Sequence, residues 1–60
     1  PDTSKVDPNA VDLVSEMNIQ NLITRFAALG ITMSDKDIVE MRRIDREVVA
    51  NALAAQAGAQ

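Results

Sequence analysis

The sequence contains no cysteine, histidine, tryptophan or tyrosine, and Phe26 is its only aromatic residue. Without Cys and His there is no disulfide framework, zinc finger, thiol nucleophile or imidazole base. The serines have no histidine to activate them, and the carboxylates form no cluster with metal-ligand spacing. Aromatic platforms for stacking nucleic-acid bases are also missing. We therefore expect a protein that is not an enzyme and that binds no metal and no cofactor.

Long apolar runs and an excess of basic charge are missing as well. The longest apolar runs have four residues, at 26–29 and 52–55, whereas a segment that spans a bilayer needs roughly 18. Six basic and nine acidic residues give a net charge of −3, which disfavours approach to a phosphate backbone. There is no signal-peptide pattern, and the lack of an initial Met indicates a processed product or an excised piece. We expect a cytoplasmic protein that does not bind membranes and for which nucleic acid is a disfavoured partner.

Two sets of helix-start signals occur in the sequence. Asp7 is a preferred N-cap residue, and Pro8 takes the first helical position, where its missing N–H costs no hydrogen bond. Ser34 followed by Asp37 resembles a capping box, in which the serine hydroxyl accepts a hydrogen bond from the backbone N–H three residues later. We therefore predict two helices, which begin directly after Asp7 and Ser34.

A glycine marks the end of the first predicted helix. No Pro or Gly interrupts the chain between Pro8 and Gly30. Gly30 adopts a left-handed conformation without steric cost, and Ile31 then closes a Schellman motif over Phe26. The sequence predicts a helix over about 8–29 that ends in this motif.

The second helix is predicted over about 35–57, where Gly58 ends it. Residues 30–33 join two helices of similar length, and so short a connection favours an antiparallel hairpin. We predict an all-α fold with a flexible lead at residues 1–6 and a single helical-hairpin domain at 7–58.

Apolar residues recur at alternating spacings of three and four along both predicted helices, a pattern typical of helices that pack side by side. Two helices form a single layer, so half of each apolar stripe stays in water unless another molecule covers it. A second hairpin related by a twofold axis completes a dimeric four-helix bundle. We predict that self-association is carried by Ile19, Leu22, Phe26, Leu29, Ile38, Met41, Val48 and Ala52.

Asp45 interrupts the apolar stripe of the second helix. That stripe runs through Ile38, Met41, Asp45, Val48, Ala52 and Ala55. An unpaired carboxylate there costs on the order of several kcal/mol, and Arg42 or Arg25 is the expected partner. One interpretation is a polar contact that sets the register or selects the partner. The other, which a seam through Met41, Ile44 and Val48 favours, is that the helix rotates slightly and leaves Asp45 at the rim of the bundle.

Arg42, Arg43 and Arg46 form the only basic cluster, a candidate contact for phosphate or for an acidic partner. Glu40 lies three residues before Arg43, and Glu47 lies four residues after it. Local ion pairing at these spacings absorbs much of the basic charge. The pattern therefore favours a solvated face that pairs with itself.

These observations favour a non-enzymatic protein–protein interaction module that dimerises and docks onto or regulates a partner protein, as an adaptor, a docking element or a small inhibitor. One alternative is a dimeric nucleic-acid-binding regulator that uses the Arg42, Arg43 and Arg46 face. Residues 27–32 resemble the turn of a helix-turn-helix motif, but the acidic start and the length of the next helix do not. A second alternative is a repeating structural subunit of a phage or secretion assembly.

Overall fold

The computed structural model describes residues 1–58, which form two α-helices joined by a short connection. The first helix, α1, spans Pro8–Ala28 with 21 residues, and the second, α2, spans Asp35–Gly58 with 24 residues. They pack side by side in opposite directions, in a body of 42 × 19 × 16 Å. No strand occurs among the described residues, so the predicted all-α helical hairpin is confirmed.

Both helices begin with a side-chain cap. The carboxylate of Asp7 accepts a hydrogen bond from the backbone N–H of Asn9 at 2.9 Å, and Pro8 is the first helical residue. At the start of α2, the hydroxyl of Ser34 accepts a hydrogen bond from the backbone N–H of Asp37 at 3.1 Å. Each cap satisfies a donor that the first turn of a helix leaves without a partner.

The turn after α1 is the Schellman motif that the sequence predicts. Leu29 leaves the helical range with φ −90° and ψ 4°, so α1 ends one residue before its predicted end. Gly30 adopts φ 78°, the left-handed region. The backbone N–H of Ile31 donates to the carbonyl of Phe26 at 2.9 Å, and that of Gly30 donates to the carbonyl of Ala27 at 3.0 Å. These bonds satisfy the last carbonyls of α1 and reverse the chain.

The core between the helices is a narrow strip. Ser15 and Ile19 of α1 are the most deeply buried side chains, at 1% and 2% exposure. Within residues 1–58, the other buried side chains are Val11, Val49 and Ala54. Ser15 allows the two helices to approach closely because its side chain is small.

The buried side of α2 is rotated relative to the predicted stripe. Val49 is buried at 6% exposure, whereas Val48 is 59% exposed and Ala52 is also exposed. Arg42 and Arg46, which lie on the same side of α2 as Val49, bond to carboxylates of α1. Val48 and Ala52 therefore lie outside the core of the hairpin.

Residues 1–6 form a turn beside the C-terminal end of α2. The backbone N–H of Val6 donates to the carbonyl of Thr3 at 3.1 Å, and that of Ser4 donates to the carboxylate of Asp2 at 2.9 Å. Residues of this lead and of the last turns of α2 line a common cavity, and Ala54 is buried at 7% exposure there. The lead thus covers part of the Ala-rich end of α2.

Candidate protein-interaction surface

One side of the hairpin, here called the ion-pair edge, carries Asp12, Glu16, Arg42 and Arg46. Arg42 donates to both carboxylate oxygens of Glu16, from Nε at 2.7 Å and from Nη2 at 3.1 Å. Arg46 donates to the carboxylate of Asp12. The two acids and the two arginines are each four residues apart, so antiparallel helices bring both pairs into register. The hydrogen bond and the negative charge of Glu16 raise the pKa of Arg42.

Arg43 lies on the outer side of α2 and pairs within its own helix. Its Nη2 lies 2.5 Å from Oε1 of Glu40, and its Nη1 lies 3.9 Å from Oε2 of Glu47. The hydrogen bond from Arg43 lowers the pKa of the Glu40 carboxyl. The local pairing that the sequence predicts is thus present for Arg43. The partners of Arg42 and Arg46 come from α1, and sequence spacing within α2 does not reveal them.

The opposite side of the hairpin carries a shallow apolar groove of about 250 Å³ between the two helices, here called the groove face. Its lining residues are Asn18, Ile19, Leu22, Met41, Ile44, Asp45 and Val48. Ile19 forms the buried floor, and Leu22 and Met41 are half-buried. Ile44 and Val48 are 48% and 59% exposed. Both helices therefore contribute apolar side chains that a single hairpin does not cover.

Asp45 lies half-buried in the groove face, with a neutral partner in place of the expected arginine. Its Oδ2 accepts a hydrogen bond from Nδ2 of Asn18 at 3.2 Å. Arg42 bonds to Glu16 instead, on the other side of the hairpin. In the single hairpin Asp45 thus lies at the rim of the helix–helix seam, and its role in an assembly stays a prediction. Sequence reasoning missed Asn18, although its position four residues before Leu22 places it beside the apolar stripe.

The eight residues predicted to carry self-association occupy three places. Ile19 is buried at the floor of the groove face, and Phe26 and Ile38 are half-buried. The groove face contains Leu22, Met41 and Val48, and Ala52 follows one turn later. Leu29 lies beside the turn at 72% exposure.

The hairpin exposes more surface than a compact monomer of its mass. Its solvent-accessible area is 4615 Å². A compact monomer of 6.5 kDa exposes about 3,800 Å², so the excess is about 800 Å². The radius of gyration is 13.3 Å, against about 10 Å for a compact domain of this length. An excess of this size is close to the roughly 800 Å² that each partner buries in a standard interface.

Comparisons with known proteins return no relative for this hairpin. No family model matches the chain, and neither a curated protein nor a solved structure matches it. In the part of the chain that the structure describes, neither helix is long and apolar enough to cross a membrane. No group of three or more acidic, His or Cys side chains in residues 1–58 is placed to hold a metal ion.

Proposed function

We propose that this hairpin is a non-enzymatic protein–protein interaction module that dimerises and, as a dimer, docks onto or regulates a partner protein. The groove face is the observation that carries the proposal. Single exposed apolar residues are ordinary on protein surfaces, but a contiguous apolar patch with a polar border is typical of an interaction site. Here Leu22, Met41, Ile44 and Val48 form such a patch beside a narrow core.

Electrostatics favour the groove face over the ion-pair edge as the contact surface. Covering the ion-pair edge would remove water from two salt bridges, and the desolvation of paired charges offsets most of what their burial gains. On the groove face the polar side chains are Asn18 and Asp45, which already bond to each other. Covering the groove face therefore removes water from one charged side chain, that of Asp45, whereas covering the ion-pair edge would remove water from four.

The paired arginines favour an interaction module over a nucleic-acid regulator. Arg42, Arg43 and Arg46 each bond to a carboxylate, and they lie on two different sides of α2. With a net charge of −3, the chain offers no contiguous basic stripe to a phosphate backbone within residues 1–58. Protein contact is the function that these charges support best.

A pair of matched valine substitutions tests the proposal. Val48 on the groove face and Val39 on the side of the ion-pair edge lie in the same helix at 59% and 64% exposure. We expect wild type and Val39→Asp to sediment as dimers and Val48→Asp to sediment as a monomer, because a carboxylate at the interface loses its hydration on association. Far-UV circular dichroism checks that both variants remain helical.

Two outcomes contradict the proposal. One is a wild-type protein that stays monomeric at all accessible concentrations. The other is equal dissociation by Val48→Asp and Val39→Asp, which would remove the groove face as the contact surface. Growth of the wild type into open-ended polymers would instead support the repeating structural subunit.

A further inference from the structure

Two charged residues on the groove side lack an opposite charge within residues 1–58. The carboxylate of Asp45 bonds to the neutral amide of Asn18. Arg25, an exposed residue in the last turn of α1, forms no salt bridge among the described residues. A carboxylate that becomes covered by a partner molecule needs a compensating charge.

Helix geometry places Arg25 on the same side as Asn18 and closer to the turn. Arg25 follows Asn18 by seven residues, which is nearly two full turns, so both side chains project from one side of α1. Seven residues correspond to about 10 Å along the helix. Asp45 lies at the level of Asn18 because the two are bonded, so Arg25 is too far along the hairpin to pair with Asp45 of its own chain.

We infer that a second copy of this chain covers the groove face in reversed orientation, so that Arg25 of each copy pairs with Asp45 of the other. The twofold axis lies perpendicular to the helices near Leu22, midway between Asn18 and Arg25. This axis exchanges the level of Arg25 with that of the Asn18–Asp45 pair, so both contacts form at once. The inference rests on the proposed function, since it specifies the geometry of that dimer.

The placement of the apolar residues supports the same axis independently. Val48 lies three residues beyond Asp45, away from the turn, and is 59% exposed. Leu29 lies four residues beyond Arg25, towards the turn, and is 72% exposed. An axis near Leu22 brings Val48 of one copy to the level of Leu29 of the other, so both exposed side chains lie within the length of hairpin that the second copy covers.

An axis through Asn18 and Asp45 has the opposite consequence. It would set the Asp45 carboxylates of the two copies against each other, in chains that each carry a net charge of −3. Like charges that face each other across an interface are strongly unfavourable.

The exposed area of the hairpin also favours a second copy as the molecule that covers the groove face. The hairpin exposes about 800 Å² more than a compact monomer, and a dimer of standard size buries that much on each partner.

A charge-swap cycle tests the inference. We expect Arg25→Asp and Asp45→Arg each to raise the dimer Kd by about 10-fold or more, because each variant brings like charges together twice. The double variant restores opposite charges, and we expect its Kd to return to within about 3-fold of wild type. A matched control combines Lys36→Asp and Glu47→Arg, the same charge changes at exposed positions outside the groove face, and leaves the Kd unchanged.

A milder variant covers the case in which Asp45→Arg disturbs the hairpin. Asp45→Asn removes the charge and keeps a side chain that bonds to Asn18. We expect it to weaken the dimer and to flatten the rise of Kd with added salt, since its contact with Arg25 is no longer ionic. Circular dichroism at each concentration confirms that the variants are folded.

Outcomes of the cycle separate this inference from the proposed function. If the wild type dimerises and Val48→Asp dissociates it, but the double variant is as weak as the single ones, the pairing of Arg25 with Asp45 is wrong and the interaction module stands. An unchanged salt dependence in Asp45→Asn also contradicts the pairing. A wild type that never dimerises overturns both.

Discussion

Ser15→Ala is expected to stabilise the protein. Ser15 lies in the middle of the contact between α1 and α2 at 1% exposure, and its Oγ has no hydrogen-bond partner among residues 1–58. Burial has therefore removed the hydration of the hydroxyl and supplied nothing in return. Alanine keeps the small size that the close approach of the helices requires and removes the polar atom.

The magnitude follows from three contributions. A buried hydroxyl without a partner costs about 1–3 kcal/mol. Alanine is also favoured over serine inside a helix by about 0.5 kcal/mol. Against these, the space left by one oxygen atom, about 10 Å³, costs about 0.2 kcal/mol. We expect the free energy of unfolding to rise by about 1–3 kcal/mol, and each kcal/mol corresponds to about 4–8 °C in Tm for a domain of this size.

Thermal unfolding followed by far-UV circular dichroism measures this change. The helix signal is the suitable probe because the chain has no Trp or Tyr. Thr24→Ala is the matched control, since Thr24 is exposed on the far side of α1 and reports helix propensity alone. All proteins are compared at one concentration because a dimer melts at a temperature that depends on concentration. A Ser15→Ala protein that gains no more than Thr24→Ala refutes the reasoning and shows that the hydroxyl is satisfied.

Three further predictions concern the turn, the core and an exposed ion pair. Gly30→Ala is expected to lower the free energy of unfolding by about 1 kcal/mol. Gly30 has φ 78° and a new Cβ meets nothing within 4 Å, so the loss comes from backbone strain alone. Urea unfolding measures the change, and an unchanged midpoint would contradict the strain. Ile19→Ala removes the buried floor of the groove face and is expected to lower the free energy of unfolding by about 2–5 kcal/mol. Leu13 is 65% exposed, so Leu13→Ala is expected to change the stability little. Equal losses in the two variants would show that Ile19 is not a core residue. Because Arg43 lowers the pKa of Glu40, this pair stabilises the fold above the ordinary glutamate pKa of about 4.3, and the contribution is lost as the pH falls through the lowered pKa. Measurements of Tm against pH for wild type and Glu40→Gln test this contribution. Identical profiles of the two proteins would contradict it.

Local signals predict the starts of both helices and the end of α1 well, whereas α2 continues through Gly58, the residue predicted to end it. Asp7, Ser34 and Gly30 act within a few residues of their own positions, so the caps and the Schellman turn can be read directly from the sequence. The all-α hairpin follows from these signals together with the shortness of the connection.

The orientation of α2 could not be predicted in the same way. The spacing predicts a stripe through Val48, but the structure buries Val49. The two residues are neighbours, and which of them faces α1 depends on how the two helices pack, a packing that includes contacts of Arg42 and Arg46 with residues 26 and 34 positions away. Contacts at that separation appear only when the register of the two helices is known.

Part of the candidate site could also be predicted from the sequence. Apolar periodicity points to Leu22, Met41 and Val48, which the structure places on the groove face. Asn18 was not predicted, because a polar residue beside an apolar stripe looks like ordinary surface. Its significance appears only through its bond to Asp45.

The dependence of thermal unfolding on protein concentration tests most directly whether a second copy stabilises the hairpin. The groove face and the narrow core imply that association adds to the stability of the folded hairpin. We therefore expect the Tm of the wild type to fall steadily over about a hundredfold dilution, as mass action requires for a dimer. A cooperative transition whose midpoint is the same at every concentration would show that a single hairpin is stable alone, and would contradict the account.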